Sequence, residues 1–299
     1  MTTLAERDER DEGLRPGRFE LLRAVGAVTA TVPPSGDRVA LALGLEAFEP
    51  AVHTDLFVLS LPPFASIHLD PEGKLGGEES DRVAGLWRVL GLNAPANPDH
   101  LGALLALYAE LGEAEYGAAL ERTRARLRHS RSVLLWEHLW SWVPGYLDAA
   151  EREGDYAASW ARLTRRVLVR EAHLSPGATA LPLALRVAPG PLDARVGVDD
   201  LLDALCAPVR TGIVLTYRDL RHACDDMGLG LRRGERRYAL RAMFEQDTPA
   251  TLRWLHRYAL EWERLHRGRP LVRHDSSWWW IARAARTALV LDELCADGT

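Results

Sequence analysis

Two short stretches of the chain set ionisable side chains beside apolar ones at spacings that could do chemistry. In Glu49-x3-His53-x2-Leu56-Phe57, the first three named residues fall at i, i+4 and i+7. A helix would place them on one face, with Phe57 beside them. In Asn97-Pro98-Asp99-His100-Leu101, a carboxylate and an imidazole are chain neighbours. An ionised Asp99 near free backbone N–H groups, and a His100 able to donate or accept near neutral pH, suit a cationic or hydrogen-bonding peptide. Glu49, His53, Leu56 and Phe57 together would suit a groove that binds a mixed polar and apolar peptide. Each stretch also has a plainer reading, as an amphipathic helix with a buried edge and as a well-made helix start.

Other chemistries leave no signature. Cys206, Cys224 and Cys295 are scattered and odd in number, with no CxxC, so neither a zinc knuckle nor a disulfide framework is indicated. There is no HExxH, H-x3-H or GxSxG. No catalysis, metal or resident cofactor is expected. Gly228-x-Gly230-x3-Gly234 could cradle a phosphate only after a strand; a helix pattern intervenes, so a helix–helix turn is expected. Arg232, Arg233, Arg236, Arg237 and Arg241 follow that turn, and Thr216-x2-Asp219-Leu220 precedes it. Residues 211–245 thus outline a helix-turn-helix, and a DNA-binding regulator is the alternative function. Glu235 and Glu245 dilute the patch, and the net charge of -5 gives no global pull toward nucleic acid.

The elements that must position these residues read as helices. Asn97 suits an N-cap and Pro98 the first helical position, opening a helix with Leu101, Leu104, Leu105, Tyr108 and Leu111 on its face. Val39 to Phe57 reads as two helices broken near Pro50, and Leu61-Pro62-Pro63 forces extended backbone. Further helices are predicted from Phe19 to Pro33-Pro34, from Glu78 to Leu90 with Gly91 closing it, and over Glu113 to His129. Ser132 to Trp142 follows, interrupted by Pro144-Gly145, and then Tyr156 to Ala172. Residues 176–197 are rich in proline and glycine. Beyond them the pattern predicts helices over about 198–206, 217–227, 233–245, 249–267 and 276–295. In the last, Trp278, Trp279 and Trp280 cannot share one face.

The fold class is therefore all-α. The expected organisation is a tail over 1–16, a helical domain over 17–175, a linker over 176–197 and a helical extension over 198–299. The chain is 47% apolar and 26% charged, ordinary globular composition, with Lys74 its only lysine. No run of 18 apolar residues occurs, so no membrane span is expected. Met1 to Arg18 has no apolar core and is not expected to act as a signal peptide, which points to the cytoplasm.

The two motifs, in this order, resemble the signatures of the TorD/DmsD family of molybdoenzyme-maturation chaperones. There the first motif is Glu-x3-Tyr-x2-Leu-Phe and the second is close to Pro-Asp-His-Leu. Pro62 with Ser66, and His138-Leu139-x2-Trp142, also resemble family segments, and the likeness covers roughly 17–175. His53 departs from the family's Tyr. The resemblance implies an all-helical chaperone without catalysis. It would bind the leader or N-terminal segment of an apo molybdopterin oxidoreductase subunit of the DMSO reductase family. It would hold that segment until cofactor insertion, in some members delaying twin-arginine export. It implies client contacts at Glu49, His53, Leu56, Phe57, Pro62, Asp99, His100 and Leu101. Asp99 or Glu49 would meet leader arginines through charge-assisted hydrogen bonds. Release needs no ATP, because differential affinity for two client states suffices. Homodimer formation is left open.

Overall fold

The computed structural model describes residues 16–32, 34–46, 49–178, 180–195, 197–232, 234–270, 272 and 276–297. The readings made on residues 1–15, on Pro33 and on Arg233 lie outside them. Among the described residues there is no β-strand, only an isolated bridge between Phe64 and His100.

The first helices are α1 (Pro16–Ala30), α2 (Asp37–Ala42) and α3 (Pro50–Thr54), the last running into a π-helical stretch, Asp55–Ser60. Next come α4 (Ala65–Leu69), α5 (Gly77–Val89), α6 (Leu101–Gly117) and α7 (Glu121–Val133), which runs into a second π-helical stretch, Leu134–Leu139. Then follow α8 (Val143–Ala150) and α9 (Asp155–Leu174). Both π stretches lie where motifs were read, and each closes on an i to i−5 bond, Leu61 N to Leu56 O and Trp140 N to Leu135 O. Such wide turns recur at functional sites.

Helix α6 is the centre of this half. Leu101, Leu104, Leu105, Leu107 and Tyr108 are all fully buried. It runs antiparallel to α1, and glycine sets their approach. A Cβ on Gly102 would stand 2.9 Å from the Gly26 carbonyl oxygen, and one on Gly112 would enter the Phe19 ring. A buried ionic network joins α1, α6, α7 and α9. Glu171 accepts from Arg18 and the Tyr108 hydroxyl at 3.0 Å each, and Arg131 spans Glu115 (2.8 Å) and Glu171 (3.3 Å). Charges so deeply buried persist only when paired.

Two helix expectations are corrected here. The helix predicted over Glu113 to His129 is two, because α6 ends at Gly117 and the chain resumes at Glu121. Pro144 opens α8 instead of interrupting a helix; it sits in the first turn, where its missing N–H costs nothing.

The remaining helices are α10 (Leu183–Arg186), α11 (Val198–Cys206), α12 (Pro208–Thr211), α13 (Tyr217–Met227), α14 (Arg236–Gln246), α15 (Thr248–Arg267) and α16 (Ser277–Asp297). They share one hydrophobic core with the first nine. Gly73, at φ +61°, comes so close to α11 that a Cβ there would lie 2.6 Å from the Cys206 carbonyl oxygen. Trp280 donates to the Ser141 carbonyl at 3.0 Å, and Arg269 pairs with Asp148 at 2.6 Å. The tryptophan run divides as its spacing requires: Trp279 and Trp280 are buried and Trp278 is 61% exposed.

Candidate functional site

Two prolines prepare the site. Neither Pro62 nor Pro63 can donate a backbone hydrogen bond or sit inside a helix. The chain from Leu61 to Phe64 therefore runs extended, and it lies beside Asp99 to Leu101. Ala65 N donates to the Asp99 carbonyl at 3.1 Å, and Leu101 N donates to the Pro63 carbonyl at 2.8 Å. The Phe64 and His100 rings meet edge to face, their centres 4.9 Å apart.

Asp99 is 2% exposed. Its Oδ2 accepts from the Ser66 backbone N–H at 3.0 Å, and its Oδ1 from the Ser80 hydroxyl at 3.1 Å. The carboxylate thus closes the start of α4, a helix it does not belong to. This moves the start of α6. Asn97 was the expected N-cap; the helix begins at Leu101, with His100 as its N-cap. Pairing with Pro63 and Ala65 holds Asp99 and His100 out of helical conformation, so the first turn forms only beyond them.

His100 Nδ1 accepts from Gly102 N at 3.1 Å. Burial lowers the imidazole pKa, with Asp99 opposing. A neutral ring that accepts at Nδ1 carries its proton on Nε2. That Nε2–H makes no hydrogen bond among the described residues, and the residue is half-buried.

Behind this strap lies a second layer. His68 is stacked on Trp142, with ring centres 5.0 Å apart, and meets Tyr146 edge-on. Burial pushes its pKa down to about 3. The Tyr146 hydroxyl donates to the Leu61 carbonyl at 3.2 Å and anchors the strap's beginning. Asp70 accepts from Glu79 N at 3.1 Å, closing the start of α5, and burial raises its pKa to about 6. The Glu79 side chain pairs with Arg82 (2.9 Å) and with His138 Nδ1 (3.2 Å). The Trp142 indole donates to the His138 carbonyl.

The first motif is divided. Glu49 is exposed and precedes α3 without a side-chain capping bond. His53 is buried, its Nε2 hydrogen-bonded to the Val28 carbonyl at 3.0 Å, and its ring meets Phe57 edge-on. Phe57 in turn meets Trp160. Leu56 and Leu101 are buried and Pro62 is half-buried. The structure therefore joins Pro62, Asp99, His100 and Leu101 in one strap, and places His53 and Phe57 in a separate cluster against α1 and α9. The other side of the first motif's helix exposes Val52, Val58 and Leu59. Sequence reasoning passed over Phe64, Ser80, Asp70 and Glu79, whose partners are too distant in the chain to be read as local patterns.

The competing motifs are occupied internally. Gly228 is a left-handed helix C-cap, and Gly230 N donates to Gln246 Oε1 at 2.7 Å, so the glycine run is a helix–helix turn. Arg236 donates to the Leu215 carbonyl, Arg237 pairs with Asp199 and Asp203, and Arg241 pairs with Asp199. Among the described residues no group of three or more His, Cys, Asp or Glu could hold a metal ion, and no helix is long and apolar enough to cross a membrane.

A family model described as nitrate reductase delta subunit matches residues 46–148, a span that takes in both motifs, the strap and His138 to Trp142. No curated protein matches the chain.

Proposed function

We infer that residues 46–148, the span matched by the family model described as nitrate reductase delta subunit, make this chain a molybdoenzyme-maturation chaperone, as that family is. From that premise we propose that this protein binds the leader or N-terminal segment of an apo molybdopterin oxidoreductase subunit during folding and cofactor insertion. The observation that carries the site is the strap. Phe64 and His100 are fixed side by side by the backbone bonds of Ala65 to Asp99 and of Leu101 to Pro63, and the His100 Nε2–H makes no hydrogen bond among the described residues. A peptide carbonyl laid along the strap would take that proton in a hydrogen bond. Glu49 would meet a leader arginine, and the exposed Val52, Val58 and Leu59 of the same chain segment would supply apolar contact. His53, Leu56, Phe57, Asp99 and Leu101 act from beneath, holding this surface in place.

The test is co-purification of the tagged chain from its own cells, followed by peptide mapping and titration with the mapped peptide. The expected partner is a molybdopterin oxidoreductase subunit, contacted in its N-terminal segment. His100→Ala should weaken peptide binding about tenfold, the loss of one well-placed hydrogen bond; it also removes the α6 cap to Gly102 N, so a stability loss of about 1 kcal/mol is expected and affinity is compared at a temperature where both proteins are folded. Unchanged affinity in both His100→Ala and Glu49→Ala would sink the site. In the same preparation, a gel shift with random duplex DNA is expected to show no binding at physiological salt.

A further inference from the structure

Helices α8 and α9 and the C-terminal end of α15 enclose an open cleft of ≈ 580 Å³. Its floor is neutral by pairing. Arg165 meets Asp148 at 2.7 Å and Glu151 at 2.9 Å, Arg269 meets Asp148 at 2.6 Å, and Arg152 holds Glu261 at 2.5 Å. The surplus is cationic. Arg162 and Arg166 stand one helical turn apart on α9, and Arg264 faces the cleft from α15. All three are exposed, and none meets a carboxylate among the described residues; Arg264 donates to the Leu260 carbonyl, and Arg162 to Ser159 Oγ. Trp140, Leu147, Leu168 and Val169 line an apolar recess that shares Arg165, Arg269 and Pro270 with the cleft.

Three uncompensated guanidiniums repel one another, and an anion relieves that repulsion. A compact phosphate would want convergent donors, most simply the N–H groups of a helix N-terminus. Here the helix end at the cleft is the C-terminus of α15, beside Gly268, which offers carbonyls and no such donors. The arginines are also spread over two helices. Carboxylates spaced along a peptide match that layout. We propose that this cleft is a second binding site, one that takes an acidic peptide segment. It is separate from the strap and does not depend on the leader reading.

The experiment uses the full chain and a fluorescent peptide of spaced glutamates. A control peptide replaces the glutamates by lysine. The triple variant Arg162→Glu, Arg166→Glu, Arg264→Glu alters only exposed groups without a carboxylate partner, so its melting temperature should match the parent's. Expected is binding that falls at least about tenfold in the triple variant and weakens with added salt. Equal binding by the triple variant or by the lysine peptide overturns the proposal, as does no binding of the glutamate peptide to the parent. Displacement of the peptide by micromolar inorganic phosphate would also overturn it, in favour of a small-anion site.

Discussion

Three helix starts in residues 46–148 and two in residues 198–297 are closed in different ways. In the later region the caps of α13 and α15 are local. Thr216 accepts from Asp219 N while the Asp219 carboxylate accepts from Thr216 N, a complete capping box, and Asp247 accepts from Ala250 N. In the earlier region α3, α4 and α5 take no hydrogen bond from a side chain at their own N-cap positions. Instead Asp99 closes α4 from 33 residues away, and Asp70 closes α5 from 9 residues before. A local cap stabilises one helix. A remote cap also fixes where that helix sits against another segment, and in this molecule the segments so fixed are those of the strap.

The largest expected effect breaks a remote cap. Asp99→Ala removes hydrogen bonds to Ser66 N and the Ser80 hydroxyl at a site only 2% exposed. Hydrogen bonds to a charged group are worth about 1.5–3 kcal/mol each, so a loss of about 3 kcal/mol or more is expected in urea unfolding. Peptide binding at the strap should fall with it. Glycines give a similar contrast. Gly77 (φ +82°) would drive a Cβ to 2.6 Å from the Asp70 carboxylate, whereas Gly228 (φ +67°) opens on empty space. Gly77→Ala should therefore cost about 2–3 kcal/mol and Gly228→Ala about 1 kcal/mol, both read from the urea midpoint.

A smaller effect lies in the pH dependence. The folded pKa of Asp70 is raised from 3.8 to about 6, so between those values the folded chain keeps a proton that the unfolded chain releases. Its contribution to stability grows as pH falls from about 6 to about 4. His68 acts in the opposite sense. Its folded pKa is lowered from 6.5 to about 3, so on acidification the unfolded chain takes up a proton first and stability is lost across that window. His266, also buried and lowered, adds to that loss. Each group can contribute a slope of up to about 1.4 kcal/mol per pH unit. Asp70→Asn keeps an oxygen for Glu79 N and should steepen the acid loss between pH 6 and 4. His68→Phe keeps the ring on Trp142 and should flatten it. Urea midpoints measured across that range check both, and parallel curves for parent and Asp70→Asn would refute the Asp70 assignment.

What was legible in the sequence follows the same division. The start of α15 was readable because Asp247, Thr248 and Pro249 carry the whole signal within three residues. The split of the tryptophan run was readable because helical periodicity alone demands it. The start of α6 was misplaced at Asn97, because Asp99 is drawn to Ser66 and Ser80, 33 and 19 residues away. His53 was correctly set on one face with Leu56, yet periodicity does not say what that face meets; it meets the Val28 carbonyl. Pro62 and Pro63 announced extended chain and not its partner, the stretch from Asp99 to Leu101.

The smallest effect sharpens the comparison most. Asp247→Ala removes one exposed local cap, for which about 1 kcal/mol is expected. It should leave the strap untouched, so peptide affinity and the pH profile should match the parent's. Asp247 shares no bonding partner with Asp99, so the double variant Asp99→Ala, Asp247→Ala should lose the sum of the two single losses, within about 0.5 kcal/mol. Asp99→Ala with Ser80→Ala should not add in that way, because both remove the same bond. If the Asp99 and Asp247 losses proved equal in size, remote capping would have no special place in this fold, and the strap would owe its position to the Pro63 and Ala65 backbone bonds alone.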